Sequence, residues 1–132
     1  MNCKIIGLVF FGSILFLGLS QKLCAQESSE IRYVAIGDSY SIGTGVSQEE
    51  AWPILLTDNL RTDGHNILLV ANPSRNGWTT LDAQQWEIPD YRKSAPTFAT
   101  LKLGVNDWLQ NSTVERFRAN FADLLEDMLS EL

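Results

Sequence analysis

Histidine and cysteine are nearly absent from this chain, and each scarcity narrows what it can be. Its 132 residues hold one histidine, His65, and two cysteines, Cys3 and Cys24. No cluster of ligating side chains has metal-site spacing, and no cofactor is expected. Both cysteines fall within residues 1–25, which read as a removable leader. The rest of the chain then has no disulfide framework and must rest on its apolar core. Cations are scarce too: 10 Lys and Arg stand against 16 Asp and Glu, for a net charge of −6. That balance provides no basic stripe for nucleic acid. No repeat and no low-complexity segment occurs. The longest apolar stretch, 5–19, is broken only by Gly7, Gly12, Ser13 and Gly18. It is shorter than the roughly 20 residues that a membrane-spanning helix needs.

The N-terminus does hold a leader. Lys4, the apolar stretch and the small residues beyond it describe a secretory signal peptide, with cleavage expected after Ala25 and, as second choice, after Ser20. Length argues against a membrane anchor. The bulky Leu23 argues against lipidation at Cys24. The expected organisation is a signal peptide over 1–25 and one small domain over 26–132, exported to the periplasm or the exterior with no stable membrane span. Cleavage removes Lys4 and Lys22 but no acid, so the domain is more acidic than the whole chain.

Within that domain, strand and helix patterns alternate. Residues 31–36 (Ile-Arg-Tyr-Val-Ala-Ile) read as a β-branched, aromatic strand ended by Gly37. Gly43-Thr44-Gly45 predicts a loop. Ser47 is placed to cap a helix over 47–63, with Trp52, Leu55, Leu56 and Leu60 on its apolar face and Pro53 near its start. Glu49 and Glu50 fit helix-start electrostatics rather than a carboxylate pair. A second strand is expected over 66–71, closed by Asn72-Pro73, and a short helix over 79–86. Pro89 and Pro96 bracket an expected irregular stretch. A third strand is expected over 97–103, ended by Gly104. A final helix, capped by Ser112 or Thr113, carries Val114, Phe117, Phe121, Leu124, Leu125, Met128, Leu129 and Leu132 at helical spacing. Strands alternating with helices predict a doubly wound parallel sheet, an α/β fold.

In such a sheet all strands end on one edge, where open α/β folds place their chemistry. Gly37-Asp38-Ser39 follows the first strand, Asn72 to Gly77 the second, and Gly104-Val105-Asn106-Asp107 the third. A hydroxyl, a glycine-bearing turn and a carboxamide therefore converge on one rim. Acyl transfer needs a nucleophile and donors aimed at the developing oxyanion. Asp38, beside the serine, reads as structural. Trp78, Trp86 and Trp108 flank the site loops and fit either packing or the lining of a sugar or acyl pocket. The sequence around Ser39 is not the G-x-S-x-G elbow, since Ser41 stands where the second glycine belongs.

These three blocks resemble the GDSL or SGNH hydrolases. Gly37-Asp38-Ser39 matches the first block, with Tyr40 where the family name has Leu. Asn72-Pro73-Ser74-Arg75-Asn76-Gly77, followed by Trp78-Thr79-Thr80, matches the second, and Gly104-Val105-Asn106-Asp107 the third. The resemblance runs from about Ile31 to the C-terminus. It implies a flavodoxin-like, three-layer α/β/α fold, and Ser39 as nucleophile and first oxyanion donor. Gly77 and Asn106 are implied as the other two donors. The activities implied are those of esterases, lipases, thioesterases and carbohydrate deacetylases, acting on a small-molecule or carbohydrate ester.

The resemblance also implies a late Asp-x-x-His block supplying the base, and no Asp-x-x-His occurs here. His65 is expected in the turn before the second strand, at the edge opposite Ser39. The expected sheet is C-terminally incomplete, its third strand an edge and its final helix partly bare. The leading expectation is thus an exported serine ester hydrolase represented by its N-terminal portion, inactive as this fragment. The alternative is a non-catalytic flavodoxin-like binding module of the same ancestry.

Overall fold

The computed structural model describes residues 29–132, so the expected signal peptide lies outside the described residues. The described chain forms a parallel three-stranded sheet in the order β2-β1-β3, built from β1 (Ile31–Gly37), β2 (Ile67–Ala71) and β3 (Phe98–Lys102). β1 is central and its Tyr33, Val34, Ala35 and Ile36 are fully buried. Burial on both faces explains why β1 reads as continuously apolar rather than alternating. Six helices, α1 (Ser39–Ile42), α2 (Trp52–Thr62), α3 (Thr80–Asp82), α4 (Ile88–Lys93), α5 (Val105–Leu109) and α6 (Val114–Leu129), complete the described chain with one 3-10 turn and one π-turn.

Side-chain alternation along β1 divides the core in two. Tyr33 and Ala35 point to one face with Ile67, where Leu56 and Leu60 of α2 cover them. Val34 and Ile36 point to the other, where Ala83, Ile88 and Tyr91 pack with Leu124 and Met128 of α6. Helices thus cover both faces of a parallel sheet, the expected three-layer arrangement. The chain winds from β1 to β2 over one face and crosses to β3 over the other. Its direction therefore reverses between β1 and β3, and open α/β sheets place ligands outside that point.

Two expected elements differ, both at prolines. The helix expected over 47–63 is interrupted. A 3-10 turn, Gln48–Glu50, is followed by Ala51 in extended conformation (φ −63°, ψ 130°), and α2 begins at Trp52. A continuous helix would set the Pro53 ring against the carbonyl four residues back, whereas proline fits the first turn of a new helix. Ser47 N–H donates to the Glu50 carboxylate at 3.0 Å. Hydrogen bonds at this start hold both Glu49 and Glu50 below the usual carboxylate range.

The stretch expected to be irregular after Pro89 is helical through Lys93. The segment Ala83–Glu87 is a π-turn, and Ile88 N–H bonds Ala83 O, five residues back. The wider turn lets Pro89 fall near the start of α4, where its missing N–H leaves no gap in the ladder. Two helices too short for periodicity, α1 and α5, occupy segments that read as loops.

Among the described residues β3 is an edge. On α6 only Leu124 and Met128 are buried, while Val114, Leu125 and Leu129 are exposed. No helix among the described residues is long and apolar enough to cross a membrane.

Candidate active site

Ser39 is the first residue of α1, directly beyond the carboxyl end of β1. The intervening Asp38 is extended (φ −119°, ψ −154°), and its carboxylate accepts Tyr40 N–H at 3.0 Å, capping the helix. As the first helical residue, Ser39 has a backbone N–H without an acceptor in α1. Gly43, at φ 81°, ends the helix after a single turn. A serine is therefore held with both Oγ and N–H on the rim.

Asp38 is fully buried, which an anion tolerates only with partners. Lys102, the last residue of β3, donates through Nζ at 3.1 Å to Oδ1 and 3.2 Å to Oδ2. The same ammonium lies 3.6 Å from the centroid of the Tyr40 ring. Asp38 is structural, as the sequence suggests, but its counterion could not be read from the motifs. The one available signal was a lysine inside the apolar third strand.

Asn106 lies in the first turn of α5 and is buried; its Nδ2 donates to Trp78 O at 2.8 Å. Gly77 sits in the exposed turn beyond β2 at φ 79°, a conformation suited to glycine, and its carbonyl accepts Gln110 Nε2 at 3.0 Å. These two bonds join the loop carrying Gly77 to the helix carrying Asn106. On the other side, Thr44 Oγ1 bonds Asn76 Oδ1, and Asn72 Nδ2 donates to Ser41 O at 2.8 Å. The loops beyond β1, β2 and β3 are thus tied into one rim that carries Ser39, Gly77 and Asn106. Asp107, beside Asn106, is also buried and receives Thr80 N–H at 3.0 Å and Thr80 Oγ at 2.6 Å.

His65 lies in the exposed turn between α2 and β2, at the sheet's amino edge. It borders a hollow with Ile31, Leu60, Ile67, Thr97 and Phe98, on the opposite side of the sheet from Ser39. Of the tryptophans, Trp78 is half-buried, while Trp86 is exposed and Trp108 is 75% exposed beside the rim. Sequence reasoning missed Glu87, which ends the π-turn fully buried and accepts Gly37 N–H through Oε2 at 3.0 Å. A lone glutamate between Trp86 and Ile88 offers no signal from which to foresee this.

Residues 35–132 match the GDSL-like Lipase/Acylhydrolase family. An arylesterase of Vibrio mimicus is 30% identical over 114 residues, which is 85% of this chain and 54% of that protein. Among solved structures, AlinE4, an SGNH-hydrolase family esterase, superposes with a TM-score of 0.69 at 29% identity, covering 78% of this chain and 55% of that one. The psychrotrophic esterase EstA from Pseudoalteromonas sp. superposes with a TM-score of 0.68 at 28% identity, covering 76% and 54%. The chain spans about half the length of these relatives. The match extends over most of the chain and contains all three rim blocks, and the chain belongs to the GDSL-like lipase/acylhydrolase family.

Proposed function

We propose that this chain carries the nucleophile and the oxyanion-binding part of a carboxylic ester hydrolase. The observation that carries the reading is Ser39 on the first turn of α1, on the same rim as the Gly77 turn and Asn106. Relatives described as esterases support it. In the proposed reaction Ser39 Oγ attacks the ester carbonyl carbon. The N–H groups of Ser39 and Gly77 and the second Nδ2 hydrogen of Asn106 receive the oxyanion. Collapse breaks the bond to the alcohol oxygen and leaves an acyl-serine, which water hydrolyses.

The proton of Ser39 Oγ needs an acceptor that then protonates the leaving oxygen. His65 stands at the other edge of the sheet, out of reach, and no Asp-x-x-His occurs in these 132 residues. We therefore read the chain as inactive by itself, with the base supplied from outside these residues. The substrate class is a small-molecule or carbohydrate ester. Residues 1–25 support export to the periplasm or the exterior.

The test compares the full chain with Ser39→Ala. A fluorophosphonate probe is expected to label the wild type slowly and at Ser39 alone, with no sustained turnover of p-nitrophenyl acetate above the variant. Equal labelling of both proteins would favour the non-catalytic binding module. Sustained Ser39-dependent turnover would overturn the inactivity.

A further inference from the structure

We propose that Glu87 is a positioning residue for the nucleophile turn, acting through the backbone N–H of Gly37. This rests on the reading of Ser39 given above. Pairing between β1 and β2 stops at Val34, opposite Ala71. Beyond it, Gly37 N–H is received by Glu87 Oε2 at 3.0 Å, a side chain 50 positions away in sequence. Gly37 is followed by Asp38, whose carboxylate caps α1, and then by Ser39. Fixing the Gly37 peptide therefore fixes the base of the turn that aims Ser39 Oγ and its N–H.

The anchor is itself rigidly held. Glu87 is fully buried and ends the π-turn Ala83–Glu87, between α3 and the proline-started α4. A regular α-turn would rotate residue 87 by a different amount, so the π-turn is what brings this carboxyl under β1. Its other oxygen, Oε1, is buried without a hydrogen-bond partner among the described residues. A group buried in this way is held by the fold and is not a surface residue that has found a chance contact.

The neutral acid form suits the location. Burial, and then the negative charges of Asp38 and Asp82, push the Glu87 carboxyl up to about 8, against the lowering effect of the Gly37 N–H. Around it, Asp38 follows β1 and is paired with Lys102 of β3, and Asp82 belongs to α3. The buried residues that α6 packs onto this layer, Leu124 and Met128, are uncharged. At neutral pH Glu87 thus accepts from Gly37 without a second buried anion beside Asp38.

The test uses the isotopically labelled full chain, Glu87→Gln and Glu87→Ala. The Gly37 amide resonance is expected to titrate with a midpoint near 8 in the wild type. In Glu87→Gln, which keeps an acceptor but cannot ionise, it is expected to stay near the wild type's low-pH position at every pH. In Glu87→Ala it moves, and exchange of the Tyr40 and Ser41 amides quickens by about tenfold. Probe labelling of Ser39 slows by a similar factor in Glu87→Ala and is restored in Glu87→Gln, since a displaced nucleophile loses rate steeply. A Gly37 amide blind to Glu87, or Tyr40 and Ser41 amides equally protected in Glu87→Ala, would overturn the proposal. Failure of the wild type to label at all, with the amide effects present, would remove the nucleophile reading and leave the positioning role standing.

Discussion

Gly37 has no room for a side chain. A Cβ built there would lie 2.1 Å from Ser41 Oγ, 2.7 Å from Ser41 Cβ and 2.8 Å from the backbone oxygen of Lys102. The serine could turn away, but the strand carbonyl cannot move without breaking β1–β3 pairing. Gly37→Ala is therefore expected to cost about 3 kcal/mol, a typical overpacking penalty, and to lower the urea midpoint accordingly. Glu87 makes the second prediction at this scale. Its folded-state value of about 8 lies above that of an exposed glutamate, so the native state holds a proton that the unfolded chain releases. The stability tied to that proton is complete below about pH 4.5 and is lost as pH rises toward 8. At about 1.4 kcal/mol per unit, the loss approaches ~4 kcal/mol. Unfolding free energies measured from pH 4.5 to 8 should fall for the wild type relative to Glu87→Gln, and parallel curves would refute the assignment. That Ser39, Gly77 and Asn106 share one rim was legible in the sequence because each follows a recognisable strand in a short block. Glu87 and Lys102 were not, because what they do depends on which strand end the fold sets beside them.

At the scale of elements, the rim is held by bonds that cross between segments distant in sequence. Thr80 opens α3 and binds Asp107 of α5 through both its N–H and its hydroxyl, and all these groups are buried. Asn106 is the neighbour of Asp107, so this pair also sets the start of α5. Thr80→Val keeps the shape but leaves a buried carboxylate oxygen short of a donor, at a cost of about 2 kcal/mol. Chemical denaturation should find that loss, and a variant as stable as the wild type would show the bond to be dispensable. Periodicity revealed the strands and α6, since five or more residues repeating on one face leave a clear pattern. It failed at α1 and α5, each about one turn long and so too short to repeat an apolar face; the Asp38 cap starts α1, and α5 follows Gly104 at φ 128°. It failed again at the prolines: Pro53 opens a new helix where one continuous helix was expected, and Pro89 starts a helix where an irregular stretch was expected. The π-turn lay beyond sequence reasoning, since a single wide turn repeats nothing.

At the scale of the whole molecule, the sheet is covered unequally. The central β1 is covered on both faces, whereas β3 is an edge among the described residues, and its Phe98, Ala99, Thr100 and Leu101 are only partly buried. Outside it, α6 uses Leu124 and Met128 for the core and leaves Val114, Leu125 and Leu129 exposed, with Leu132 exposed just beyond it. On a helix of 3.6 residues per turn Leu125 and Leu129 lie one turn apart on the same side, so these two exposed side chains form a short apolar stripe near the end of α6. An unpaired strand and a bare apolar stripe both favour contact with another chain. The net charge of −6 opposes that contact, but surface repulsion is screened within about 8 Å at physiological salt, while apolar burial is not. Sedimentation of the full chain is accordingly expected to show self-association that grows with concentration and persists in salt. Leu125→Glu combined with Leu129→Glu places charge on the stripe without touching Leu124 or Met128, and should shift the equilibrium toward monomer at unchanged helical content. Self-association unaltered by the double variant would move the contact to the β3 edge, and a wild type that stays monomeric throughout would refute the prediction.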